Sequence, residues 1–198
     1  MVLSLAVYIG TSTGHITSRR ALKSTKSPSV QQLFSSPGTD LPSPTSIIPE
    51  AQLPAVGETI TAKVVHVKSM SHFYIQRPNL QLQSELSKLK SVKTKRRNKL
   101  KVGAACLAHF HGDQGYHRVS VVSMSPRNEV KVYYVDFGNS LDLSADEVFP
   151  LPMELAKIPA LAFPCSLVGG SKEYPENLLP FFSELVVDKP LSVTVKVS

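Results

Sequence analysis

The sequence predicts a mainly β chain with a few helices, built around a small antiparallel barrel and preceded by a Ser/Thr/Pro-rich tail. Three observations predict it. From Gly57 onward, β-branched and aromatic residues alternate with polar ones over short runs, as in half-buried strands. Between residues 101 and 152 such runs follow one another closely, with Gly, Asp and Asn at the joints, which is the spacing of a small barrel. Before Pro54, stretches such as STKSPSV and SSPGTDLPSPTS carry few large apolar residues and no sustained period, so residues 1–54 read as a disordered tail.

Each element has its own signal. TITAKVVHV is β-branched and alternating, hence a strand; KSMS is a turn and HFYIQ a second strand. In LQLQSELSKLK, Leu82, Leu86 and Leu89 stand at i, i+4, i+7, one face of a helix. The basic run KTKRRNKLK follows. The segments VGAACLAHFHGDQGYHRVSVVSM, NEVKVYYVDFGNSLDL and DEVFPLP supply the barrel strands, and IPALAFPCSLVGG one more. In PENLLPFFSELVV, Leu178, Phe181, Phe182 and Leu185 form a helical stripe, with Pro175 near its start. LSVTVKVS is a final alternating strand.

Composition excludes several classes. Two cysteines, Cys106 and Cys165, cannot make a disulfide framework and suit a reducing compartment. No apolar run approaches the ~18 residues of a membrane span. The opening MVLSLAVYIG lacks the basic start of a secretory leader. Charge is split along the chain: residues 1–101 hold 15 Lys/Arg against 4 Asp/Glu, and residues 102–198 hold 7 against 11. The first half should attract anions and the second cations.

VYYVDFGN, taken with GAACLAHF and DQGYHRVSV, resembles the core of a Tudor domain. VVHVKSMSHFYIQ before it resembles the two strands that precede the core in extended Tudor domains. IPALAFPCSLVGG, the helix after it and LSVTVKV resemble the segment that follows. The resemblance implies a Tudor (SH3-like) antiparallel barrel inserted in a split staphylococcal-nuclease-like OB-fold lobe, covering residues 55–198. Its parts are 55–78, the first part of the nuclease-like lobe; 79–100, a linker helix and basic loop; 101–152, the Tudor barrel; and 153–198, the second part of the lobe. That lobe usually continues beyond a strand like LSVTVKVS, so here it reads as incomplete, with an unpaired edge at Ser198.

The resemblance further implies a reader of dimethylarginine peptides, such as PIWI protein tails, acting in small-RNA (piRNA) silencing in the cytoplasm and its ribonucleoprotein germ granules. The chemistry suits that function. A methylated guanidinium keeps its charge but loses donors, so ring faces suit it, each contributing ~0.5–2 kcal/mol, and one amide oxygen can take a remaining N–H. By resemblance the rings are Phe110, one residue at 116–117, Tyr134 and Phe137, with Asn139 as the polar partner. Matching Arg118 and Val121 to the family pattern puts His117 in the wall; a shorter preceding loop puts Tyr116 there. On a straight strand Tyr134 and Phe137 face opposite sides, so a shared box requires a bend, which Asp136, Gly138 and Asn139 permit.

Arg118 and Asp136 read as a structural ion pair on neighbouring strands. Lys95, Arg96, Arg97 and Lys99 form a run that the alternative reading, an RNA-binding or ligand-free scaffolding module, would use for phosphate contacts. His109, His111, His117 and Cys106 match no zinc spacing, and no acidic and arginine set for catalysis appears, so no metal, cofactor or enzymatic activity is expected.

Overall fold

The computed structural model describes residues 3–9, 47–89, 100–110, 112–169 and 177–196. Within them lie ten strands, three α-helices and one 3-10 turn. The strands are β1 (Leu3–Ile9), β2 (Thr59–Ser69), β3 (His72–Gln76), β4 (Ala105–Phe110), β5 (Gly115–Met124), β6 (Glu129–Tyr134), β7 (Ser140–Ser144), β8 (Val148–Pro150), β9 (Ala162–Leu167) and β10 (Pro190–Lys196). The helices are α1 (Leu80–Lys88), α2 (Met153–Ala156) and α3 (Leu178–Val186).

Two sheets result. One is a closed barrel in the order β1-β10-β2-β3-β9, and the other a five-stranded sheet in the order β7-β6-β5-β4-β8. The second sheet is antiparallel throughout and lies entirely between β3 and β9 in sequence. This is the predicted arrangement of one barrel-like sheet inserted into another lobe. Alternation fills both interiors: Val64, Phe73, Ile75, Phe163, Leu191 and Val193 in the first, and Cys106, Ala108, Val119, Val132 and Tyr134 in the second.

The N-terminal strand departs from the sequence reading. Leu3–Ile9 fall within the segment read as a tail over residues 1–54, yet they pair parallel with β10, from Leu3↔Leu191 to Tyr8↔Lys196, and antiparallel with β9. Val7 is fully buried, with Leu5 and Ile9 packed on the same core. The strand therefore covers the edge of β10 that was expected to stay unpaired, and the lobe expected to be incomplete forms a closed barrel. Near the other end of that segment, the Pro49 carbonyl accepts from Ala160 N–H and Ala51 packs on the core. Residues 10–46 lie outside the described residues.

The helices follow their patterns in part. Asn79 caps α1 by accepting from Leu82 N–H at 2.9 Å. Leu82 is buried and Leu86 and Leu89 pack beside it. In α3 the predicted stripe is only partly right. Phe182 is buried against Phe73, with Val186 as its companion, whereas Phe181 is 70% exposed and Leu178 and Leu185 are also exposed.

Candidate functional site

The strand register builds one cluster of rings. Ala108 pairs with His117 and Phe110 with Gly115, so Phe110 and His117 share the inner face of the β4–β5 hairpin. Val119 pairs with Tyr134, placing Tyr134 one step diagonally from His117 on that face. Beyond Tyr134 the chain turns back on itself: both Phe137 N–H and Gly138 N–H donate to the Tyr134 carbonyl, at 3.1 and 2.8 Å, and Tyr134 N–H donates to the Asn139 carbonyl. That bend brings Phe137 to the same side as Tyr134. The half-buried Asn139 side chain follows at the end of the turn.

The four rings stand at steep angles. His117–Phe137 centroids are 4.8 Å apart at 90°, Phe110–Tyr134 5.7 Å at 71°, Phe110–His117 6.0 Å at 81° and His117–Tyr134 6.3 Å at 64°. Each pair thus meets edge to face, with a positive ring edge against a negative ring face. A flat cation competes for those same faces. Tyr134 forms the buried floor, and its hydroxyl has no hydrogen-bond partner among the described residues. Burial pushes that phenol up to about 12, and the Glu147 and Asp113 carboxylates push the same way. Burial is the larger cause, and only the smaller contribution of the two carboxylates would favour a nearby cation.

Asp113 was not legible as part of this site. Its carboxylate accepts from Gly115 N–H at 2.9 Å, an Asx turn, and lies 2.9 and 3.0 Å from His117 Nε2. Burial pushes the Asp113 carboxyl up, but the His117 hydrogen bond, the Gly115 N–H and the His117 charge outweigh it and hold it below its ordinary range. The contact fixes the imidazole plane. The sequence signal is the HGDQGYH stretch, with Asp four residues before His across a glycine turn.

Tyr116, the alternative wall, lies on the opposite face. Its ring contacts His109 at 5.4 Å and Phe149 at 5.6 Å, in the cluster containing Leu107, Leu151 and Leu155. Among the described residues the structure thus brings Phe110, His117, Tyr134 and Phe137 together and leaves Tyr116 out. Lys95, Arg96, Arg97 and Lys99 lie outside the described residues, as does His111.

Behind the rings, the turn is clasped to the other lobe. Arg118 is fully buried, and all five of its N–H groups are used. Nε and one terminal nitrogen donate to the two Asp136 oxygens at 2.9 and 2.6 Å, and the remaining donors reach the carbonyls of Leu155, Ile158 and Pro159. Asp136 also accepts from Leu161 N–H, and its own carbonyl accepts from Gln76 of β3 at 2.6 Å. Arg118 and Asp136 are thus the structural ion pair the sequence suggested, except that Asp136 sits in the turn after β6 and not on a neighbouring strand.

Gly138 completes the clasp. Its φ is +89°, and a Cβ there would fall inside the Tyr74 ring. Gly138→Ala is expected to lower stability by about 2 kcal/mol or more, read by thermal and denaturant unfolding. Combining it with Tyr74→Ala should cost less than the two single changes added together. Strict additivity would show that ring and turn do not compete for the space.

A cluster of four rings on an inserted sheet, next to a turn clasped from behind to a closed five-stranded barrel, defines a two-lobed β module. The chain belongs to the Tudor domain family, whose profile matches residues 54–169. Among its relatives, Tudor domain-containing 6 of Danio rerio is 30% identical over 151 residues, 72% of this chain and 7% of that protein. Tudor domain-containing 6-like of Xenopus laevis is 31% identical over 152 residues, 72% of this chain and 8% of that protein. The chain thus spans less than a tenth of these relatives. The human TDRD1 extended Tudor domain, solved in complex with a symmetrically dimethylated peptide, matches with a TM-score of 0.63 and 25% identity, over 79% of this chain and 82% of that one. Extended Tudor domain TD3 of mouse TDRD1, solved with a dimethylarginine-containing MILI peptide, matches with a TM-score of 0.63 and 24% identity, over 74% and 80%.

Proposed function

We propose that this chain is a non-catalytic reader and adaptor that binds dimethylarginine-containing peptides. Phe110, His117 and Phe137 wall the methylguanidinium, Tyr134 is its floor, and the Asn139 amide oxygen takes a guanidinium N–H. The observation that carries this reading is the convergence of Phe110, His117 and Phe137 around the buried Tyr134, whose hydroxyl lacks a partner among the described residues. The similarity in fold to a domain solved with a symmetrically dimethylated peptide supports it. The peptides are Arg-Gly or Arg-Ala segments of PIWI-type proteins, and the setting is small-RNA silencing in cytoplasmic germ granules. Neutralising Lys95, Arg96, Arg97 and Lys99 leaves peptide affinity nearly unchanged on this reading.

Calorimetric titration with one Arg-Gly peptide in unmethylated, monomethyl, symmetric and asymmetric dimethyl forms tests it. Equal affinity for all four would sink it. Phe110→Ala and Phe137→Ala are each expected to weaken binding by about 1–2 kcal/mol, about five- to thirty-fold. Tyr134→Phe is the sharper variant. It should leave stability unchanged or slightly higher, because the hydroxyl is buried without a partner, while weakening the dimethylated peptide several-fold. His117→Tyr should tighten binding, since phenol offers a cation a better face than imidazole.

A further inference from the structure

The outer face of the β2–β3 hairpin carries a cluster that the cage does not use. A register shift between Val64 and His66 turns β2 so that Val67 packs on the core and His66 lies outward, opposite Tyr74. The His66 ring is centred 6.0 Å from the Tyr74 ring, and the His72 ring 5.4 Å from it, with His72 Nε2 3.4 Å from the Tyr74 hydroxyl. Lys68 and His72 are exposed and His66 is half-buried. Tyr74 lies against Gly138, the residue after the cage ring Phe137.

Among the described residues, no carboxylate acts on His66 or His72. His66 is held below the ordinary imidazole range by burial, then by Lys68, then by His72, and His72 by burial, then by Lys68. From the other elements packed there, Tyr133 stays a neutral phenol, raised first by burial and then by Tyr74 and Asp136. Asp136, the acid of the adjoining turn, spends its carboxylate on Arg118 and the Leu161 N–H. Ser69 and Ser71 bond each other. The cage has the opposite character, since Asp113 and Glu147 act on its floor. A rim carrying Lys68 and a ring cluster near two carboxylates thus adjoin one turn.

We propose that the rim formed by His66, Lys68 and His72 binds an anionic side chain, carboxylate or phosphate, carried in the same peptide as the methylarginine. The inference rests on the reader assignment. In the complex, Lys68 supplies the charge and the two imidazoles supply N–H donors. The bound anion raises the depressed imidazole values, so protons are taken up on binding. The sign follows: affinity for an anion-flanked peptide rises as pH falls through the imidazole range, while a neutral-flanked peptide shows no such gain.

Four peptides of one Arg-Gly sequence test this, with arginine unmodified or symmetrically dimethylated and with Glu or Gln four residues to either side. The dimethylated Glu peptide should bind about three- to ten-fold tighter than its Gln counterpart near 50 mM salt, with the ratio shrinking at high salt. Lys68→Glu should cancel or invert the ratio without changing affinity for the Gln peptide. The ratio should grow between pH 7.5 and 6, and His66→Ala with His72→Ala should remove that growth. Equal binding of Glu and Gln peptides, or a ratio untouched by Lys68→Glu, overturns the proposal. So does a single-stranded RNA that competes with the Glu peptide but not the Gln peptide, because it makes the rim a nucleic-acid contact. Phosphoserine in place of Glu distinguishes the anions, and either ranking supports the site and says which it prefers. Loss of the methylation effect with the Glu/Gln ratio intact would instead overturn the reader assignment.

Discussion

Asp136→Ala is expected to destabilise the protein by about 3–5 kcal/mol, because it leaves the fully buried Arg118 charge without its carboxylate. For a chain of this size that is a fall in Tm of roughly 6–20 °C. Affinity for the dimethylated peptide should fall as well, since the turn carrying Phe137 loses its hold on Leu161 and Arg118. Arg118→Lys should behave similarly, because an ammonium cannot reproduce the fork that reaches two carboxylate oxygens and three carbonyls. The paired change Arg118→Met with Asp136→Leu should recover much of the stability while leaving the turn less constrained. If Asp136→Ala unfolds at the wild-type temperature, the clasp is not what joins the lobes.

Val7→Asp should be of similar size, more than about 3 kcal/mol, since it places an unpaired charge at a fully buried position of β1. The neighbour Ser4 is exposed on the same strand, and Ser4→Asp should cost within about 0.5 kcal/mol. Removing residues 1–9 altogether should bare the edges of β9 and β10 and promote association. Denaturant unfolding and light scattering read both effects. A truncated chain that melts and sediments like the full one would show that β1 adds nothing.

The contrast between β1 and the other strands says what a sequence can disclose. Strands β2 to β10 sit in surroundings of similar character, so alternation such as Leu191, Val193, Val195 against Ser192, Thr194, Lys196 stands out. β1 alternates equally well, with Leu5, Val7 and Ile9 packing inward. It is hidden by a Ser/Thr/Pro-rich stretch that follows, and its partner in the fold is at the far end of the chain. The ring cluster was expected from the family resemblance and not from the pattern alone, which left Tyr116 and His117 open; the register carries His117 inward and Tyr116 outward. Asp113, the Tyr74 ring over Gly138 and the Gln76 bond to the turn were not. A glycine at 138 signals a backbone need, but not which ring some sixty residues earlier lies against it.

The insertion of one sheet within another lobe has a consequence for how the chain reaches its native state. Gln76 and Ala162 must meet to join β3 to β9, and residues 77–161 separate them. Once β4 and β8 pair, with Cys106 beside Pro150, the unconstrained part of that loop roughly halves. The entropy saved is only about 0.6 kcal/mol, so the effect is on order of events more than on stability. The contiguous inserted sheet is expected to form early, the split barrel after it, and β1 last, since its register spans almost the entire chain. A chain caught between those stages would hold its rings on a turn that nothing yet grips from behind. Competence to bind a ligand would then arrive with the docking of β3 and the 155–161 segment rather than with the sheet that carries the rings.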